Sequence, residues 1–414
     1  MVVTGAPSGA ACLAVRPLLS CHDGPVPSGK ARRASRSPPL VVHMCAGDPQ
    51  VGPIRPAGAV RGRNVRRVID FRSGLRLWAV LLLTVGVAVT LGAVPAAASP
   101  AEAVVALGDS TASGEGAGDY EAGTRGEAGN WCHRSPAAYV HRSGLAPVTV
   151  NLACSGADTA AVRLDAGRGS QAARLAAAAR AHRVTTVTLQ VGSNDDVALT
   201  TVLTGCIRAF LDPRQGPCGE AAAATWPARL AATVPKVEAT VADIRSAMRD
   251  AGYADDGYVL VLLSYASPVT ERMGRFHSTR GCPYHRADAG WARTVALPEL
   301  SAALAGVAAR AGARFLDLSR ATEGREACSR DDPSAEWQRR LTVAPEALRH
   351  GGPGMAMVQE SFHPNAAGHA AIGGCLRQFV RSGAPSAACL PTADGPLQPV
   401  AGLSPGRPGP AAAS

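Results

Sequence analysis

The sequence predicts an α/β fold: a three-layer α/β/α sandwich around a central, mostly parallel sheet of five strands. Three observations predict it. Short apolar, β-branched runs recur along the chain, each of strand length. Longer segments of helical pattern separate them, as crossovers between parallel strands require. About 290 residues lie between Ser99 and Cys389, which suits one such domain.

The strands are expected at 103–107, 148–152, 184–191, 258–263 and 313–318. The first reads Ala-Val-Val-Ala-Leu and stops at Gly108. Helices are expected at 170–183, 226–252, 291–312 and 365–382, with Pro235 and Pro298 as points of interruption. After Cys389 the chain turns rich in Pro, Gly and Ala, and residues 391–414 read as a disordered tail.

The first 98 residues have a different character. Residues 1–60 are rich in Pro, Gly, Arg and Ala without a sustained period, and Arg61 to Arg76 carries a run of arginines. Residues 77–94 are nearly all apolar, and Ala96-Ala97-Ala98 follows. A basic flank, an apolar core and small residues at an A-x-A site describe a secretory leader cleaved after Ala98. The rival is a membrane anchor, since about 18 apolar residues are close to spanning length; the alanines directly behind the run favour cleavage. The long upstream stretch points to a translation start downstream of Met1, near Val65 or Val68.

Charge follows the same boundary. The whole chain has a formal net charge of +10, but residues 1–98 hold twelve of the 42 basic side chains and three of the 32 acidic ones. The remainder is nearly balanced, which removes the electrostatic case for a nucleic-acid partner. Eight cysteines stay behind the leader, an even number that reads as a disulfide set in an exported chain. The preferred pairing is sequential: Cys132–Cys154, Cys206–Cys218, Cys282–Cys328 and Cys375–Cys389. Cys282-Pro-Tyr-His285 has zinc-like spacing, but no second pair completes a site. No internal repeat is evident.

Four short blocks carry the chemistry. Gly108-Asp109-Ser110 ends the first strand, and Ala153-Cys154-Ser155-Gly156-Ala157 follows the second. Gly192-Ser193-Asn194-Asp195 follows the third, and Glu360-Ser361-Phe362-His363-Pro364-Asn365 precedes the last helix. A serine at the carboxyl edge of a parallel sheet lies where such sheets bind ligands. Its hydroxyl needs a base and an oxyanion site to act as a nucleophile. Two other readings fail. The single G-x-S-x-G of the chain behind the leader, Gly402 to Gly406, lies in the Pro-rich tail. Gly114-Glu115-Gly116-Ala117-Gly118 lacks the third glycine of a dinucleotide fingerprint.

With these blocks in this order, the chain resembles the SGNH (GDSL) hydrolase superfamily, and within it the secreted bacterial lipase/esterase branch. The extended G-D-S-x-x-S-G-E-G, A-C-S-G-A and H-P-N contexts are similar too, and the resemblance covers most of residues 103–375. It implies a flavodoxin-like sheet and a serine esterase with Ser110 as nucleophile and His363 as base. It also implies an oxyanion hole of the Ser110 and Gly156 backbone N–H groups and the Asn194 amide. Where the family has Asp three residues before the histidine, this chain has Glu360. Glu360 could complete a triad, or a backbone carbonyl near Ser361 could orient the imidazole in a Ser–His dyad.

Asp109, Asp195 and Asp196 are read as shaping their turns. The other histidines, His133 and His369 among them, sit in no motif and are read as structural. The mechanism calls for no metal or organic cofactor. The expected substrate is a lipid acyl ester, with a carbohydrate acetyl ester as the alternative. A non-catalytic cell-surface binding protein on the same fold is the third reading. The expected product is a secreted monomer with no membrane span after cleavage.

Overall fold

The structure, a computed structural model, describes residues 99–402 apart from 168, 345–355, 357 and 393–394. The expected leader, its apolar core at 77–94 and the tail beyond 402 lie outside the described residues.

A single sheet organises the domain. Its strands are β1 (Glu102–Gly108), β2 (Val148–Asn151), β3 (Arg183–Gln190), β4 (Val259–Leu263), β5 (Arg314–Asp317), β6 (Ser386–Thr392) and β7 (Gly395–Ala401). They run in the order β2-β1-β3-β4-β5-β6-β7. The first six are parallel and β7 returns antiparallel to β6. The order reverses direction at β1, so β1 and β3 flank the switch point where such sheets bind ligands.

Both faces of the central strands are buried, which explains their unbroken apolar runs. Val105 and Leu107 of β1 face a layer built from Leu175, Val241, Ile244, Leu300 and Leu304. Val104 and Ala106 face the opposite layer, with Tyr139, Ile372, Leu376 and Phe379. The first layer holds the helices Gln171–Ala181, Gly219–Asp250 and Leu297–Arg310, and the second holds Tyr139–Arg142 and Ala366–Ser382. Ser170 and Asn365 cap their helices, their side chains accepting from Ala173 N and Gly368 N.

The sheet departs from the expected five strands by two. Residues 386–392 and 395–401 each contain proline, which reads against a strand in sequence. Pro396 and Pro399 lie on β7, the edge strand, and Pro391 lies on β6 beyond its pairing with β5 at 386–388, so each forfeits few ladder bonds. The reading of 391–414 as a disordered tail is therefore corrected for residues 391–392 and 395–401, which lie in the paired strands β6 and β7. The Cys375–Cys389 disulfide anchors β6 to the last helix. All four disulfides join the cysteines as expected. Cys282 is thereby committed to Cys328 and is not a thiolate available to zinc.

Among the described residues, no helix is long and apolar enough to cross a membrane.

Candidate active site

Three neighbouring strands deliver the expected site residues to one edge of the sheet. Gly108 closes β1 at φ +139°, where an added Cβ would overlap the carbonyl oxygen of Gln190 on β3. Its backbone is gripped by the Gln171 side chain, which donates to Gly108 O at 2.8 Å and accepts from Gly108 N at 2.7 Å. Glycine is thus what lets the chain turn sharply enough to present Ser110.

Asp109 locks that turn from below. It is fully buried; one carboxylate oxygen accepts from Thr111 N at 3.1 Å. The other accepts from Ser193 Oγ at 2.7 Å and Tyr265 Oη at 2.5 Å. Burial pushes its pKa up to about 6 against the hydrogen bonds from Tyr265 and Ser193. Asp109 ties the Ser110 turn to the β3 loop and to the residues after β4.

The loops after β2 and β3 are also joined. Asp195 accepts from Thr159 N at 3.1 Å and Thr159 Oγ1 at 2.5 Å. Asn194 Nδ2 donates to Ala157 O at 2.9 Å, which fixes the orientation of its amide. Ser110, Gly156 and Asn194 all line one cavity. Asp196 pairs with Lys236 at 2.7 Å.

His363 reaches the same cavity from the segment before the last helix. Its Nε2 lies 2.7 Å from Ser110 Oγ, and its Nδ1 lies 3.0 Å from Ser361 O. A carbonyl only accepts, so Nδ1 carries the proton and Nε2 is free to accept from the serine hydroxyl. Phe362, between them, adopts φ +59°, unusual for an aromatic residue. Its ring is buried against Tyr284, and the resulting bend aims the Ser361 carbonyl back at the imidazole. Burial holds His363 below the ordinary imidazole pKa, opposed by the Glu115 charge and by the carbonyls of Ser361 and Gln359.

Glu360 does not occupy the third position. Its carboxylate turns to Arg339, 3.4 Å from Nη1. Arg339 is itself fixed by donating to Gly116 O at 2.5 Å, and its backbone N–H donates to His363 O at 2.9 Å. The bend at Phe362 gives the imidazole a partner two residues away, and the acid three residues away is drawn to the guanidinium. Of the two arrangements open in the sequence, the geometry is that of the backbone carbonyl.

Sequence reasoning missed a buried carboxylate beside this pair. Glu115 accepts from His133 Nδ1 at 2.9 Å, Tyr120 Oη at 3.1 Å and Gln359 Nε2 at 2.8 Å. Its place in the quoted S-G-E-G context was the only signal, and His133 had none.

The cavity has a volume of about 630 Å³ and is mostly apolar away from the reacting groups. The helix Leu199–Leu211 supplies Leu199, Val202, Leu203 and Ile207 to one wall. Ala292 and Ala296 supply part of another; they bound a single π-helical turn, Ala292–Ala296, that continues into Leu297–Arg310. Such turns often adjoin functional sites.

A serine hydroxyl within hydrogen-bond reach of an imidazole, at the switch point of a parallel sheet, is an arrangement suited to nucleophilic acyl transfer. The chain belongs to the GDSL-like lipase/acylhydrolase family, whose sequence profile matches residues 106–371, and it is a carboxylic ester hydrolase. Among solved structures it is similar to phospholipase A1 from Streptomyces albidoflavus NA297, at 24% identity and a TM-score of 0.47, covering 69% of this chain and 100% of that one. It is also similar to an extracellular lipase from Streptomyces rimosus, at 24% identity and a TM-score of 0.44, covering 68% and 99% of the two chains. No curated protein matches the sequence.

Proposed function

We propose that the protein is an exported esterase that hydrolyses lipid acyl esters through an acyl-enzyme on Ser110. The observation that carries this reading is the 2.7 Å contact between Ser110 Oγ and His363 Nε2 at an apolar cavity. His363 takes the hydroxyl proton as Ser110 Oγ bonds to the ester carbon. The carbonyl oxygen becomes an oxyanion, met by the N–H groups of Ser110 and Gly156 and the amide of Asn194. His363 then gives its proton to the departing alkoxide. A water repeats the sequence on the acyl-enzyme and releases the acid. The Ser361 carbonyl holds the ring in the tautomer these steps need. No charged third member is required for this cycle, so the reading is a dyad. The basic flank, apolar core and alanines of residues 61–98 fit a secretory leader, and four disulfides suit an oxidising compartment.

The apolar wall of Leu199, Val202, Leu203 and Ile207 favours an acyl chain over an acetyl group. Each buried methylene is worth about 0.8 kcal/mol, up to roughly a fourfold gain in kcat/KM. A series of p-nitrophenyl esters on purified protein tests this. Specificity should climb from acetate through medium chains until the cavity is filled. An optimum at acetate would favour the acetyl-ester reading instead.

A further inference from the structure

Glu115 is a fully buried carboxylate that the proposed cycle does not use. It sits in the turn just after the nucleophile, and its own N–H donates to Ser110 O at 2.9 Å. The neighbouring Gly116 backbone lies against the catalytic imidazole: a Cβ there would come within 2.9 Å of His363 Cβ and 2.7 Å of Pro364 O. Gln359, which donates to Glu115 Oε2, also donates to Trp131 O at 3.0 Å. His369 Nε2 donates to Glu115 O at 3.2 Å. The carboxylate is thus enclosed by segments that also carry Ser110 and His363.

A buried carboxyl with few donors protonates. Here the side chains of His133, Tyr120, Gln359 and Ser155 donate to it, and His133 is specially built. His133 is buried, takes a left-handed backbone at φ +45°, and stacks on Tyr120 with ring centroids 4.2 Å apart. The adjacent Cys132–Cys154 disulfide, with Ser155 N donating to Cys132 O at 3.1 Å, braces this segment on the loop that carries Gly156. Burial alone would raise the Glu115 pKa; the hydrogen bond and charge of His133, with the charge of His363, bring it below the usual carboxylate value.

We propose that Glu115, kept ionised by His133, Tyr120 and Gln359, is the charge that stabilises protonated His363 in place of a triad carboxylate. The proposal rests on Ser110 and His363 being the catalytic pair. The charged and titratable groups around His363 are Ser110, Glu115, Glu360, Arg339 and His369. Glu360 is offset by Arg339 at 3.4 Å, so its field at the ring is partly cancelled. Burial drives the His369 pKa down to about 4, which leaves that ring neutral in the working range. Of the charges that act on His363, Glu115 is the one that raises its pKa most. Glu115 touches no substrate and is a positioning residue acting through His363.

The pH profile of kcat/KM tests it. His363 must be neutral to accept the serine proton, so the acid limb reports its pKa. A nearby carboxylate raises that pKa, so Glu115→Gln should move the acid limb to lower pH by about one unit and reduce kcat by up to about tenfold. Glu115→Asp keeps the charge and should keep the limb near its wild-type position, although it fits the pocket less well. Glu360→Gln should leave the limb in place. A folded Glu115→Gln enzyme with an unmoved limb, or an equal shift in Glu360→Gln, overturns the proposal. Should Glu115→Gln fail to fold, Gln359→Leu decides the matter. Loss of that donor raises the Glu115 pKa, so the acid limb should steepen as two protons are taken up; an unchanged limb overturns the proposal. Ser110→Ala is assayed alongside. Residual turnover there would undo the catalytic pair itself, whereas an inactive Ser110→Ala with an unmoved limb in Glu115→Gln undoes only the role of Glu115.

Discussion

Replacing His363 by alanine is expected to cut ester hydrolysis by roughly 10³-fold or more at neutral pH, since nucleophile and base act as one unit. The loss should fall on kcat. His363 faces Ser110 Oγ at 2.7 Å and has no substitute nearby: His133 is turned to Glu115, and His369 is turned to the Glu115 carbonyl. The fold should survive, because the Arg339 N–H to residue 363 O bond and the Asn365 helix cap are independent of the imidazole. Steady-state kinetics with a soluble ester, together with circular dichroism, check both parts. Retained turnover in a folded variant would assign the base elsewhere.

Gly108→Ala should fail differently, by loss of the fold. The residue sits at φ +139°, outside the range of an L side chain, and its Cβ would overlap the Gln190 carbonyl. Relief would have to push β1 from β3, where Leu107 pairs with Leu189 in a core buried on both faces. It would also break the two bonds to Gln171. A cost above about 4 kcal/mol is expected, which is a large fraction of a domain's whole stability. Denaturant titration of any soluble product, or its absence from the soluble fraction, reads this out. A variant with near wild-type midpoint would show that the turn can rebuild itself.

The legible part of this protein was what repeats or punctuates. Strands buried on both faces leave long apolar runs, so β1, β3 and β4 stand out. Ser170 and Asn365 mark helix starts by their capping chemistry. Ser110, Gly156, Asn194 and His363 were nominated from short blocks at strand ends or before a helix, with the oxyanion roles of Gly156 and Asn194 implied by the family resemblance, and the structure brings all four to one cavity. What stayed hidden depended on tertiary partners. The helix Leu199–Leu211 is dense in Leu, Thr and Val with a glycine at 205, a poor helical signal that the cavity wall overrides. β6 and β7 contain prolines that only their places beyond the β5 pairing and at the sheet edge excuse. The orientation of Glu360 turns on Arg339, 21 residues earlier in the chain, and on the bend at Phe362. Glu115 and His133 come together from opposite ends of an irregular loop, for which no periodicity exists to read.

The same loop offers an account of how a chain whose acid at the family's usual position is turned to Arg339 could keep a working imidazole. Ser361 O fixes the tautomer without charge, and the charge that a triad acid would supply comes, on the proposal above, from another direction. Orientation and electrostatics, joined in one residue in a triad, are here assigned to two.

The central claim is that Ser110 Oγ becomes acylated, and covalent trapping tests it most directly. An alkyl phosphonate ester carrying a medium-length chain should react once per molecule, and peptide mass spectrometry should place the adduct on Ser110 with activity lost in proportion. Ser110→Ala should take up none. Stoichiometric labelling at another residue, or full turnover by protein already modified at Ser110, would contradict the account.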